Sequence, residues 1–217
     1  MTPNDFLQLV QGAAVSLTLA LGSILCGTIL AIGLTALAFV PMGLIRALYR
    51  WYIWAIRGTP VLVLAMLVYF SLGSALELGP YSAAVVVLSI YLSALIAEIF
   101  RGGVLAIPRS LLDSARSLGL PHSAMLRMVV APLVLRYSLP PYLNACVMAV
   151  KASSVLSIIG VWELTYASRE IIERTLDVFS VLSVAAILYF VMCLAVDRLG
   201  HRVERHLAAK GFAGESI

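Results

Sequence analysis

Residues 6–45 contain no charged side chain, a gap that opens after Asp5 and closes at Arg46. A helix rising 1.5 Å per residue needs about 20 apolar residues to cross a hydrocarbon core of about 30 Å, and such a run has no solvated face to offer water. The pattern recurs. Residues 58–76 lie between Arg57 and Glu77, 78–97 between Glu77 and Glu98, and 178–196 between Asp177 and Asp197, while 137–162 is broken only by Lys151. Composition agrees: 62% of the 217 residues are hydrophobic and 12% charged, against roughly 45–50% and 25% in soluble domains. Mean hydropathy is +1.02. Disorder, a disulfide-rich secreted scaffold and an ordinary soluble enzyme are excluded. The expected fold is an all-α integral membrane domain, 1–217, with five transmembrane helices at about 12–40, 58–76, 80–100, 139–160 and 178–197.

Orientation follows from arginine and lysine. Residues 41–59, 101–136 and the tail after Val196 carry twelve of the fifteen basic residues, including Lys210. The N-terminal residues and the loop around Glu77 carry none, and 159–177 pairs Arg169 and Arg174 with four carboxylates. The positive-inside rule then puts the N-terminus outside and the C-terminus in the cytoplasm, as an odd number of spans requires. Met1–Gln11 carries Asp5 and no basic residue, and the apolar run behind it is long, so span one reads as retained rather than as a cleaved leader. Cys26, Cys146 and Cys193 fall within spans without CxxC spacing, which offers neither a disulfide framework nor a metal site. The pI near 9.1 reflects arginines facing anionic lipid; no nucleic-acid motif accompanies it.

The loop 101–136 is the longest on the basic side, and it is not a polar linker. Leu111, Leu112, Ala115 and Leu118 recur at helical spacing, so a short helix is expected over about 110–118. Gly119 supplies a left-handed stop, Pro121 suits the first turn of the next helix, and that helix runs through Met125 and Met128 toward Pro132. On these residues alone, such a stub either lies flat among the inner headgroups or docks on a partner surface.

The pattern Asp113-Ser114-Ala115-x3-Gly119-x9-Val129-x-Ala131-Pro132 resembles the "EAA" loop of bacterial ABC importer permeases, E-A-A-x3-G-x9-I-x-L-P, with Asp, Ser, Val and Ala replacing Glu, Ala, Ile and Leu. Ala97–Gly103, Arg57-Gly58-Thr59-Pro60, Arg136–Pro141 and Lys151-Ala152-Ser153-Ser154 are similar to signatures of the polar amino acid permease subfamily. That subfamily serves histidine, lysine/arginine/ornithine, glutamine, glutamate/aspartate, cystine and opine importers. The resemblance covers roughly 12–200 and implies a type I ABC importer permease fold of the bacterial inner membrane. It implies that the stub is a coupling helix seated on a cytoplasmic ATPase, with Leu111, Leu112, Asp113, Ala115, Leu118 and Gly119 as its coupling residues. It also implies a second permease subunit (the same chain or a homologue), two ATPase subunits that hold the ATP and Mg, and an extracytoplasmic solute-binding protein. This chain itself is expected to bind no cofactor and catalyse no reaction. No G-x-x-x-x-G-K-[ST], H-E-x-x-H or G-x-S-x-G occurs in it.

Candidate path residues come from polar groups at membrane depth. Lys151 sits about ten residues into span four, where a lysine costs about 2.5–3.5 kcal/mol to insert. Asn144, Met148 and Ser154 share its helix face at steps of seven and three. Either the lysine lines a cavity and meets a substrate carboxylate, or it pairs with a partner subunit. Glu98, three residues before Arg101, reads as an interfacial ion pair or as a lining of the inner mouth. Glu163, Arg169, Glu170, Glu173 and Arg174 form a docking rim or a solvated loop. Gly12, Ser16, Ala20, Ser23 and Gly27 recur at three- and four-residue steps, a close-packing seam. Arg57–Pro60 opens span two, with Arg57 as interface anchor and Thr59 as cap. The competing classes are an ion-coupled secondary transporter, for which no internal repeat and no mid-membrane carboxylate is visible, and a non-transporting membrane scaffold.

Overall fold

Thr2 accepts the Asp5 amide while the Asp5 carboxylate takes the Thr2 amide, a capping box with Pro3 in the first turn. From it runs α1, Pro3–Ala38, whose 36 residues extend about 54 Å. The computed structural model describes residues 2–73 and 77–207; residues 74–76 of the expected second span and Lys210 lie outside that set. Helix α1 starts well before the expected 12 because Asp5, which marked the charge boundary, is buried and ion-paired to Arg174.

The segment 41–57, read as a connecting loop, is instead an amphipathic helix, α2 (Gly43–Gly58), with Tyr49 and Ile53 buried. Its arginines gave it a loop-like composition, but they all lie on one flank. Thr59 closes α2 by donating to the Ala55 carbonyl and does not cap the next helix. Pro60 forces Thr59 into an extended conformation (φ −98°, ψ 129°), and the chain turns through 105°. The second span is therefore short: α3 (Val61–Leu67) and a π-helical continuation, Val68–Gly73. Among the described residues four helices are individually long and apolar enough to cross a membrane, and the bent pair Gly43–Gly58 with Val61–Ser71 makes the fifth.

Helix α4 (Pro80–Leu105) extends the third span by five residues. Helix α5 (Arg109–Ser117) follows as the stub. The fourth span does not begin at 139. Helix α6 (His122–Met125), a π turn (Leu126–Val130), α7 (Ala131–Ala152) and a 3₁₀ segment (Ser153–Ile159) form one continuous rod over His122–Ile159, with Pro140 and Pro141 inside it. The outer connection carries a further helix, α8 (Leu164–Thr175), and α9 (Val178–Leu207) outruns the expected 178–197, taking Arg198, Arg202 and Arg205 onto its last turns.

The core joins α1, α4, α7, α8 and α9 through Leu9, Leu92, Ile96, Val150, Leu164, Ile171 and Val181, all fully buried. The small-residue stripe of α1 is the seam expected of it. A Cβ on Gly27 would stand 2.9 Å from the Leu92 Cβ, and one on Gly12 would stand 2.9 Å from the Leu164 Cα. Large apolar side chains such as Leu25, Ile29, Ile187 and Phe190 point outward, as suits a bundle whose solvent is lipid.

Candidate functional site

The stub is built by a complete glycine stop. Leu118 closes α5, the Gly119 amide donates to the Arg116 carbonyl (2.9 Å), and the Leu120 amide reaches back to the Ala115 carbonyl (3.3 Å). This is the Schellman pairing, and it requires the left-handed conformation that Gly119 adopts at φ +69°. Helix α5 spans Arg109–Ser117, one residue earlier than expected, and Pro121 sits at the cap of α6 rather than in its first turn. Leu118 is 79% exposed and Leu111 43%, so both offer apolar surface; Leu112 is half-buried. Ala115 is buried and faces its own chain, which restricts it to a small side chain and removes it from any outward contact surface. Asp113 and Arg116 pair on the exposed side at 3.0 Å.

The two glycine- and proline-containing signatures on either side of the stub meet. A Cβ on Gly103 would collide with the Ser138 hydroxyl, and Ser138, buried, donates to the Ile99 carbonyl at 3.3 Å. Gly103 on α4 and Ser138 on α7 thus fix the closest approach of those helices.

Asn144, Met148 and Lys151 lie on one exposed face of α7, joined by Tyr137 and Pro141. The steps 137, 141, 144, 148 and 151 alternate between four and three, the spacing of a helix–helix seam. Pro141 has no amide to offer the Tyr137 carbonyl, so the usual helical donor for that acceptor is missing. At membrane depth such an acceptor requires water or a protein partner. Lys151 has no carboxylate within ion-pair distance among the described residues. Ser154 opens onto the first turn of the 3₁₀ segment, which eclipses positions three apart, and its hydroxyl donates to the Lys151 carbonyl at 2.7 Å.

Glu98 is not part of that group. It pairs with Arg101 through both carboxylate oxygens (Arg101 Nε to Oε2, 2.9 Å) and accepts the Tyr49 hydroxyl of α2 at 3.2 Å. The bundle brings it to the end of α4 near Ser138, and Lys151 lies thirteen residues further along the rod, about 20 Å away on the axis. The expected ion pair is present, and the same carboxylate lines the cavity beside α2 at this end of the helix.

Glu163 is the residue sequence reasoning missed. Placed in an outer loop, it is instead fully buried as the cap of α8. Its Oε1 accepts the Tyr166 amide (2.9 Å), and its Oε2 accepts the Tyr189 hydroxyl of α9 (2.7 Å) and the Ser16 hydroxyl of α1 (3.0 Å). Thr165 hydrogen-bonds the same Tyr189 oxygen (2.9 Å). Burial pushes the Glu163 carboxyl above its ordinary range, partly offset by these donors. The available signal was an acidic residue immediately before the apolar pattern Leu164, Ala167 and Ile171. The other outer charges also have partners or exposure: Arg174 holds Asp5, Glu170 accepts the Trp162 indole N–H at 2.7 Å, and Glu173 is exposed.

The family model of binding-protein-dependent transport system inner membrane components matches residues 23–209. The chain is 35% identical over 210 residues to the glutamine transport system permease protein of Escherichia coli (strain K12), covering 92% of each. It is 30% identical over 206 residues to the octopine transport system permease protein of Rhizobium radiobacter, covering 90% of this chain and 84% of that one. Among solved structures, an amino acid ABC transporter crystallised with histidines matches with a TM-score of 0.84 at 29% identity, over 92% of this chain and 94% of the other.

Proposed function

Because this chain belongs to the family of binding-protein-dependent transport system inner membrane components, we propose that it is the membrane subunit of an ATP-driven importer of polar amino acids or close derivatives. The observation that carries the substrate class is the full-length similarity to glutamine and octopine permeases, together with the uncompensated cation on α7. A free amino acid carries a carboxylate, and Lys151 is a cation on an exposed face with no ion-pair partner among the described residues. The α7 stripe, Tyr137–Lys151, is the wall of the path, and a second permease subunit (this chain or a homologue) closes it.

In this reading α5 seats on a cytoplasmic ATPase. Leu111 and Leu118 supply the contact, Asp113 and Arg116 its polar rim, Ala115 and Gly119 the shape, and Leu112 anchors the stub to its own chain. Two such ATPase subunits hold the ATP and Mg; this chain binds no cofactor. A solute-binding protein docks at the opposite end, beside α8. The chain lies in the bacterial inner membrane with its N-terminus outside. Exposed leucines beneath a bilayer support the docked stub over one lying in lipid, since the buried Ala115 turns the opposite face of α5 onto the chain itself.

The test is uptake of labelled amino acids by proteoliposomes holding the chain with its ATPase and binding protein, after a ligand screen of that binding protein. Lys151→Met is expected to abolish most uptake and the substrate stimulation of ATPase; unaltered values for both remove Lys151 from the path. Gly119→Pro combined with Ala115→Asp is expected to uncouple ATP hydrolysis, and surviving uptake overturns the coupling role. Uptake by the chain without an ATPase would favour an ion-coupled transporter.

A further inference from the structure

Helix α2 carries three differently surfaced flanks. One, with Tyr49 and Ile53, is buried against the bundle. A second shows Leu44 (71% exposed), Leu48 and Trp51 outward, with no chain of this molecule over them. The third aligns Arg46, Arg50 and Arg57 at steps of four and seven. Between this third flank and the end of α4 lies a cavity of about 770 Å³, lined among others by Arg46, Arg50, Arg57, Trp54, Glu98 and Arg101.

The charges in this cavity do not balance. Glu98 is consumed by Arg101, which it binds through both oxygens, and by the Tyr49 hydroxyl. Arg57 lies near enough to Glu98 to interact with it electrostatically, but none of Arg46, Arg50 and Arg57 makes an ion pair among the described residues, so one carboxylate faces four guanidinium groups. Arg46 and Arg50 stand one turn apart and can share one tetrahedral oxyanion, Arg57 extends the basic wall about 10 Å further along the axis, and guanidinium binds phosphate in a bidentate manner. The helix bearing them turns 105° from the apolar α3 and its continuation. It exposes leucine and tryptophan on one flank and arginine on another, the surface division of a helix resting at the boundary of headgroups and acyl chains. An apolar flank in the acyl region sets the arginine flank at the depth of lipid phosphates.

We propose that this cavity is a binding site for the phosphate headgroup of an anionic phospholipid in the leaflet on the coupling-helix side. The lipid phosphate sits against Arg46 and Arg50 on the flank that Arg57 extends, with an acyl chain running past Trp54, the exposed aromatic that borders both this flank and the cavity. Occupancy supplies the counter-charge the protein omits, and it ties the bent α2–α3 elbow to the membrane surface beside the Glu98–Arg101 pair. This inference concerns a site separate from the α7 stripe and the stub, so it stands or falls apart from the transport reading.

The experiment uses the full-length chain, purified and delipidated in neutral detergent, and native mass spectrometry during titration with phosphatidylglycerol or phosphatidylcholine of matched acyl chains. Phosphatidylglycerol is expected to be retained at least several-fold better than phosphatidylcholine. Arg46→Gln/Arg50→Gln/Arg57→Gln should weaken it by about tenfold or more, each arginine near a membrane surface being a substantial share of anionic-lipid affinity. Arg109→Gln/Arg116→Gln/Arg127→Gln removes equal charge from the exposed hairpin and should change retention by less than about twofold. Equal losses in both variants would reduce the effect to net charge and overturn the site. Displacement of the lipid by millimolar inorganic phosphate would overturn the lipid assignment in favour of a free anion. Should the first triple variant fail to fold, quenching of Trp51 and Trp54 by brominated lipids in Trp162→Phe protein decides. Saturable quenching by the phosphatidylglycerol form supports the site, and equal quenching by the phosphatidylcholine form refutes it.

Discussion

Replacing Glu163 by alanine tests whether one buried carboxylate fastens three helices. The carboxylate caps α8 through the Tyr166 amide, a contribution of about 1 kcal/mol. It also accepts the Tyr189 hydroxyl at 2.7 Å, and a hydrogen bond to a charged group contributes about 1.5–3 kcal/mol. Ser16 is not orphaned by the change, because its hydroxyl can donate to the Gly12 carbonyl at 3.2 Å. The sum is about 2.5–4 kcal/mol, which on the scale of soluble domains of this size corresponds to a fall of roughly 5–16 °C in Tm. Glu163→Gln keeps the shape and one acceptor and should lose only about a third of that. The pH dependence has a definite sign. Burial raises the folded-state pKa above the ordinary value of 4.5, so the folded protein holds more protons than the unfolded chain between the two. The contribution of Glu163 is therefore complete below the unfolded value and declines as pH rises through the folded one; Glu163→Gln should flatten that slope. Thermal unfolding in detergent across pH 4 to 8, followed by circular dichroism, reads both effects. A Tm drop below about 2 °C for the alanine variant, or a slope unchanged by glutamine, refutes the assignment of Glu163 as a three-helix fastener.

Gly12→Ala sets a Cβ 2.9 Å from the Leu164 backbone, which cannot yield, so a loss of about 1–3 kcal/mol is expected, whereas Gly22→Ala, with nothing within 4 Å, should be neutral or slightly stabilising by the same melt. Gly103→Ala drives a methyl into the Ser138 hydroxyl, and Ser138→Ala in the same chain should recover most of its thermal stability; equal instability of single and double variants would show that the Val134 carbonyl at 3.3 Å sets the limit instead. At Gly119, where an added Cβ meets nothing within 4 Å, alanine costs only the left-handed backbone, about 1–2 kcal/mol. Gly119→Asn should cost less than alanine, and limited proteolysis of the hairpin should rank the three glycine, asparagine, alanine from slowest to fastest.

The spans were legible because charge is forbidden in lipid, so gaps in the charge pattern locate helices without knowledge of their neighbours. The stub was legible for a local reason too: Gly119 and the leucine spacing encode a helix and its stop within a dozen residues. What escaped was whatever a partner neutralises. Asp5 and Glu163 read as exposed because they are charged, and they are buried because Arg174, Tyr189 and Ser16 reach them from distant sequence. Helix α2 escaped because its arginines resembled a basic loop, although Tyr49, Ile53 and Ile56 share a face at steps of four and three. The second hairpin helix was expected to run toward Pro132 and the fourth span to begin at about 139, yet one rod passes through Pro132, Pro140 and Pro141, since a membrane helix can leave carbonyls for a partner or water to satisfy.

That continuity gives the proposed coupling a mechanical form. The stub is joined through Gly119 and Pro121 to a rod of 38 residues, so no flexible linker separates the hairpin from the polar stripe. Ser138, whose hydroxyl fills the space a Cβ on Gly103 of α4 would need, is taken as the fulcrum in this form of the coupling. His122 lies sixteen residues to one side of Ser138 and Lys151 thirteen to the other, arms of about 24 and 20 Å. With arms so nearly equal, a displacement of the hairpin by the ATPase appears at Lys151 with similar size and opposite sense. Spin labels at Leu118 and at Met148, in a variant lacking Cys26, Cys146 and Cys193, report both distances between the two permease subunits when ATP is added to the assembled transporter. Opposite changes are expected at the two positions. Changes in the same sense would mean the rod translates as a body, and the Gly103–Ser138 contact would then be a slide and not a pivot.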